Sequence, residues 1–166
     1  MSHHPHLPDA LRWIIAILRK HRIPFQVTGG LAAHFYGSQR PINDIDIDVP
    51  EEAISAVVPD VQQYRVFGPA RYEDGAWDVF LMTLEYRGQL IDIGGAEGTR
   101  IRDGKTSKWT PVHCDLLTAN EKQLFGTIVP VVDPHDLIAY KEMLTGEHQQ
   151  EDIAAVKKYL RQESSQ

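Results

Sequence analysis

Val27-Thr28-Gly29-Gly30-Leu31-Ala32-Ala33-His34-Phe35-Tyr36-Gly37-Ser38-Gln39-Arg40-Pro41-Ile42-Asn43-Asp44-Ile45-Asp46-Ile47 is the stretch on which the fold of this 166-residue chain turns. Phe25 to Thr28 reads as a short strand running into Gly29-Gly30. Leu31 to Tyr36 reads as a short helix closed by Gly37, a residue suited to a left-handed cap. Ser38 to Asn43 is then a loop. Asp44 to Val49 alternates strictly between aspartate and a branched aliphatic residue, which is the period of a strand.

That period puts Asp44, Asp46 and Asp48 on one face and Ile45, Ile47 and Val49 on the other, where they would anchor the strand in a core. Neighbouring carboxylates on one face repel each other. Solvent, basic partners or a divalent cation can offset the repulsion, and Mg²⁺ suits hard oxygen ligands while leaving positions for phosphates. An exposed acidic edge strand that deters aggregation gives the same pattern, and periodicity alone leaves both readings open. The preceding Gly29-Gly30 adds weight to the first. A strand entering a helix through glycines lets backbone N–H groups approach a phosphate closely.

Outward from this stretch, Leu11, Ile14, Ile15 and Leu18 mark one face of a helix that Asp9 would cap and that ends near Arg22, before Pro24. Pro50-Glu51-Glu52 opens another helix. A strand is expected near Tyr64 to Phe67, and a hairpin from Trp77–Glu85 and Gln89–Ile93 turning at Arg87-Gly88. The polar stretch from Gly94 to Pro111 reads as a loop. A helical segment is expected near Asn120 to Phe125, a strand from Ile128 to Val132, a helix from Pro134 to about Leu144, and a last one from Glu151 to Leu160. No repeat or linker divides the chain. The pattern gives a single α+β domain, a small mixed sheet flanked by helices, ordered over about residues 9–160 with flexible termini.

Hydrophobic residues make up 42% and charged residues 24%, the balance of a globular protein. Trp13 to Leu18 is the longest apolar run, far short of the roughly 20 residues that cross a bilayer. It lacks a small-residue cleavage site, so no signal peptide is expected. Cys114 is the single cysteine. It is read as a small buried hydrophobe, and a lone thiol fits a reducing compartment, so the expected location is cytoplasmic. A net charge of −6 argues against a general DNA coat but allows a phosphate ligand held through Mg²⁺. His3-His4-Pro5-His6 is assigned no role.

The strand, the Gly-Gly opening of a short helix and the apolar-flanked Asp44-Ile45-Asp46 together resemble the polymerase-β-like nucleotidyltransferase superfamily. The likeness is strongest to small bacterial members, among them aminoglycoside and lincosamide nucleotidyltransferase-like enzymes and toxins of abortive-infection systems, which carry an arginine where Arg40 stands. In that family a later strand adds a third carboxylate. Asp92, in Ile91-Asp92-Ile93, fits best, with Asp78 the runner-up and Asp48 behind it. The bland reading of Asp92 is a cap on the Gly94-Gly95 turn. Val132 to Lys141 resembles the family helix that carries a lysine toward the phosphates, and Glu151-Asp152-Ile153 the acidic pair of its last helix, with Asp152 holding Lys141 or Arg161.

The resemblance implies transfer of a nucleoside monophosphate from a nucleoside triphosphate to an acceptor hydroxyl. Asp44, Asp46 and Asp92 would be the catalytic residues and the ligands of Mg²⁺ or Mn²⁺, while Gly29, Gly30, Arg40 and Lys141 would hold the nucleotide. A small molecule, a tRNA or a protein could be the acceptor, and a homodimer or a protein partner could complete its surface. A toxin–antitoxin component of the same fold and a catalytically silent nucleotide- or partner-binding member are the rival expectations. The basic loop Arg100–Lys108 is read as solvated, and Trp77 and Trp109 as core or rim residues.

Overall fold

The computed structural model describes residues 3–165. Helix α1 (Leu7–Lys20) buries Leu7, Ala10, Leu11, Ile14, Ile15 and Leu18 along one stripe. Its cap is His6, three residues before the expected Asp9, with Pro8 in its first turn, where the missing N–H costs nothing. Asp9 therefore lies inside the first turn and pairs with Arg12 and Arg87 instead of capping. Strand β1 (Gln26–Thr28) leads directly into α2 (Gly29–Phe35), and β2 (Asp44–Val49) follows. A 3₁₀ segment (Glu51–Val57) and the one-turn α3 (Val58–Val61) lead into β3 (Arg65–Glu73), which is longer than expected.

Strands β4 (Trp77–Tyr86) and β5 (Gln89–Gly95) form the anticipated hairpin. Arg87 and Gly88 both have positive φ, the backbone of a tight two-residue turn. The segment expected as a loop contains two short paired strands, β6 (Arg100–Arg102) and β7 (Trp109–Pro111). Residues 120–124, expected to be helical, form β8 (Asn120–Leu124), antiparallel to β9 (Thr127–Val131). Phe125-Gly126 closes that hairpin with the same pair of positive φ angles. Helices α4 (Pro134–Met143) and α5 (Glu147–Ser164) complete the chain, α5 beginning four residues earlier than expected.

The nine strands of the described residues join one mixed sheet, in the order β7-β6-β4-β5-β2-β1-β9-β8, with β3 on the outside of β4. β2 sits near the middle, antiparallel to β1 and parallel to β5. Ile45, Ile47, Ile91, Ile93, Met82 and Leu84 point to one side and pack with α1 and α2 in one continuous core. Full burial of each such side chain is worth about 2 kcal/mol. Because side chains alternate, that same core fixes Asp44, Asp46, Asp48 and Asp92 on the other face. His3 bridges Ile42 and meets the edge of the Phe125 ring. No helix among the described residues is long and apolar enough to cross a membrane.

Candidate active site

β2 and β5 run parallel in a register that sets Asp46 beside Asp92 and Asp44 beside Leu90. With Thr28 opposite Asp46 on β1, three neighbouring strands bring polar side chains to one level of the sheet. A cleft of about 400 Å³ opens over this face, lined by Asp44, Asp46, Asp48 and Asp92 together with Gly29, Gly30, Arg40 and Lys141. The first choices of the sequence for metal and nucleotide, and Asp48 with them, therefore line one cavity, while the runner-up Asp78 does not.

The carboxylates are electrostatically frustrated. Burial, then Asp92 and Asp44, push Asp46 up to about 8, with the Lys141 charge as the opposing influence. Burial and the Asp92 charge raise Asp44. Burial also raises Asp92, against a hydrogen bond that Thr83 Oγ1 donates to its Oδ1 at 2.6 Å. Thr83, rather than the Gly94-Gly95 turn, is thus the partner of Asp92. Among the described residues no group of three or more His, Cys, Asp or Glu side chains is arranged to hold a metal ion by itself. The donor set still fits a Mg²⁺-type ion: hard carboxylate oxygens, clustered against their own repulsion, in an open cleft where water or phosphate can complete the coordination.

Gly29 has φ +65°, and a Cβ there would stand 2.1 Å from Oδ2 of Asp46. The glycine is required twice, for its backbone angle and for the carboxylate it admits. Arg40 lies next to Gly30, its Nη2 3.7 Å from where a Cβ would project.

Arg40 and Lys141 share one buried counter-ion. Asp152, 1% exposed, accepts from Arg40 Nε at 2.9 Å and Nη2 at 2.8 Å, and from Ser38 Oγ at 2.6 Å. Lys141 Nζ reaches it at 3.0 Å and donates to Gln149 Oε1 at 2.9 Å. Burial works against this carboxylate, but the bonds from Arg40 and Ser38 and the Lys141 charge outweigh it and hold its pKa below the usual range. Asp152 holds Lys141 and Arg40, rather than Arg161, at the cleft.

Asp78 lies outside the cleft. Its side chain accepts from Arg71 Nε at 2.6 Å and Arg100 Nη2 at 2.5 Å, which hold its carboxyl below the ordinary value. It ties β3, β4 and β6 together, and the expected basic loop thereby contributes a structural arginine. Arg100 also covers the Trp109 ring, while Trp77 lines the cleft and meets Tyr140 edge-on.

Asp48 accepts from Gln26 Nε2 at 2.9 Å and from Cys114 Sγ at 3.5 Å. Cys114 is half-buried and faces the cleft, so it is not a simple core hydrophobe. Burial and the Asp48 charge raise its thiol above the usual range, which favours the protonated form. Sequence reasoning missed Gln26 and Tyr140. Gln26 was detectable, since strand period puts it on the face of Thr28. Tyr140 and Cys114 reach the cleft only through the tertiary fold.

No family model matches the chain, and no curated protein matches it by sequence. Solved structures match by shape, and they show that the chain has the polymerase-β-like nucleotidyltransferase fold. A candidate nucleotidyltransferase from Thermotoga maritima is similar over 96% of this chain and 99% of its own, with TM-score 0.63 and 21% identity. The lincosamide antibiotic adenylyltransferase LnuA, lincomycin-bound, gives 0.60 at 14% identity over 90% of this chain and 95% of its own. The antibiotic-resistance factor ANT(2'')-Ia gives 0.61 at 16% identity over 92% and 83%.

Proposed function

We propose that this protein is a Mg²⁺-dependent nucleotidyltransferase that moves a nucleoside monophosphate from a nucleoside triphosphate to the hydroxyl of an acceptor. The observation that carries this reading is the side-by-side register of Asp46 and Asp92, with Asp44 in the same cleft, on a fold shared with adenylyltransferases.

Asp44, Asp46 and Asp92 would hold the metal, which when bound neutralises phosphate charge and assists an in-line displacement. The chain's own residues do the rest. Gly29 leaves room for the Asp46 carboxylate, and the start of α2 presents backbone N–H groups to phosphate oxygens. Arg40 and Lys141, immobilised by Asp152, face those oxygens as a preset pair of positive charges, and such preorganisation lowers the barrier without reorganisation during reaction. Asp92 is the carboxylate placed to orient the acceptor hydroxyl or take its proton, with Thr83 fixing its rotamer. In balance, the acceptor oxygen bonds to the α-phosphorus, the bond to the β-phosphate bridging oxygen breaks, and pyrophosphate leaves.

Calorimetric titration of ATP, GTP, CTP and UTP with Mg²⁺, repeated in EDTA, tests the donor half. Binding of at least one nucleotide is expected, and EDTA should abolish it. Absence of binding to all four in Mg²⁺ would sink the reading. Pyrophosphate release in a screen of aminoglycosides, lincosamides, tRNA and proteins then identifies the acceptor. A tRNA or a protein acceptor would point to the toxin–antitoxin setting.

A further inference from the structure

An ammonium group carries three N–H donors and no acceptor. Two of those on Lys141 are engaged inside the protein: Nζ stands 3.0 Å from Asp152 Oδ2 and donates to Gln149 Oε1 at 2.9 Å. Among the described residues no third acceptor hydrogen-bonds it. With two N–H bonds pinned, the tetrahedral group cannot turn, and the direction of the third is set. Lys141 and Gln149 both line the cleft, and the Lys141 charge reaches Asp46 there. The Gln149 amide can meet an ammonium only through its oxygen, so Nε2 is turned the other way, where it donates to His148 Nε2 at 3.2 Å. Both ends of the amide are therefore held, on the first turn of α5.

Charge adds a second constraint. Arg40 and Lys141 share the Asp152 carboxylate, so one anion faces two cations and a positive charge is left uncancelled among the three. The group that completes the grip on Lys141 is a neutral amide. A glutamate has the same length and offers the same oxygen, but its charge would cancel what remains. We propose that Gln149 is a positioning residue for the nucleoside triphosphate: its neutral oxygen and the Asp152 carboxylate together orient the Lys141 ammonium, leaving the third N–H for a phosphate oxygen and the Arg40–Lys141–Asp152 group net positive. This rests on the nucleotidyltransferase reading of the cleft. Gln149 acts through Lys141, and its neutrality matters as much as its reach.

Calorimetric titration of Mg²⁺-tripolyphosphate into the unmodified protein, Gln149→Glu and Gln149→Met tests this, with a thermal melt of each. Gln149→Glu keeps the length and the acceptor but adds a charge, whereas Gln149→Met keeps the length and neutrality but loses the acceptor. Both should bind about tenfold more weakly, the first through the cancelled charge and the second through the freed ammonium. Their melting temperatures should stay close to that of the unmodified protein. A side chain with a purely structural task would tolerate Gln149→Glu, so unchanged affinity in that variant overturns the proposal. Unchanged affinity in Gln149→Met overturns it as well, because the ammonium is then oriented without residue 149. Affinity losses that merely accompany a collapse of the melting temperature in both variants also overturn it and make Gln149 a support of α5. Failure of the unmodified protein to bind Mg²⁺-tripolyphosphate defeats the nucleotidyltransferase reading and this proposal with it, whereas tight binding by all three proteins defeats the role of Gln149 alone.

Discussion

A methyl group on residue 29 has nowhere to go except into the space of the Asp46 carboxylate, since Oδ2, Cγ and Cβ of Asp46 all stand within 3.0 Å of it. The backbone adds its own objection, because φ +65° costs a residue with a side chain about 1–2 kcal/mol. Gly29→Ala should therefore move the Asp46 side chain away from Asp92 rather than unfold the protein. The expected result is a stability loss of ~1–2 kcal/mol by urea titration, with at least a tenfold fall in Mg²⁺-nucleotide affinity by calorimetry. Unchanged affinity would separate Gly29 from the placement of Asp46. Asp44, Asp46 and the glycine pair were legible in the sequence because they lie within one short segment whose spacing encodes their geometry. Asp48 was visible but uninterpretable, because Cys114 comes to it from a segment with no local signal.

Two hairpins of this sheet are closed by the same physics and were not equally readable. Arg87-Gly88 and Phe125-Gly126 both adopt positive φ at both residues. Strand-formers flank the first pair. Glu121, Lys122 and Gln123 flank the second, and their helix propensity hid a strand that exists through pairing with β9. β6 and β7 are too short, at three residues each, to show a period at all. The ties between elements were equally hidden, and Asp152 is the strongest of them. From α5 it fixes Ser38 and Arg40 in the α2–β2 loop and Lys141 on α4. Asp152→Asn leaves Arg40 and Lys141 without a buried counter-charge, at a cost of about 3–5 kcal/mol. Because the folded carboxyl titrates below its unfolded value, its stabilisation is present above the ordinary carboxylate range and is lost as pH falls. The variant should thus melt well below the parent at pH 7, with the gap narrowing toward pH 3. A gap that is constant with pH would mean that Asp152 acts through packing rather than charge.

At the scale of the whole molecule, a well-packed core on one face of the sheet, which does not titrate, supports an unfavourable cluster of acids on the other, which does. Asp46 titrates near pH 8 in the folded protein, far above an unfolded aspartate, so between those limits the unfolded chain binds fewer protons. Its contribution is most favourable below about pH 4 and is lost as pH rises toward about 8. Asp48, pushed up to about 6 chiefly by burial, acts in the same direction. A divalent cation competes with those protons, so its stabilising effect must grow over the same range. Mg²⁺ should therefore raise Tm little at pH 5 and more at pH 8.5, releasing protons on binding near neutrality. In the metal-free state Asp46→Asn should melt higher than the parent at pH 8.5, by ~2–6 °C for a gain of about 1–2 kcal/mol in a chain of this size. It should also show no Mg²⁺ increment. Scanning calorimetry of both proteins at the two pH values, with Mg²⁺ and with EDTA, reads all of these effects. A parent whose Mg²⁺ increment is the same at both pH values, or an Asp46→Asn variant less stable than the parent without metal, would mean that the carboxylate is held by protein contacts and not poised for a cation.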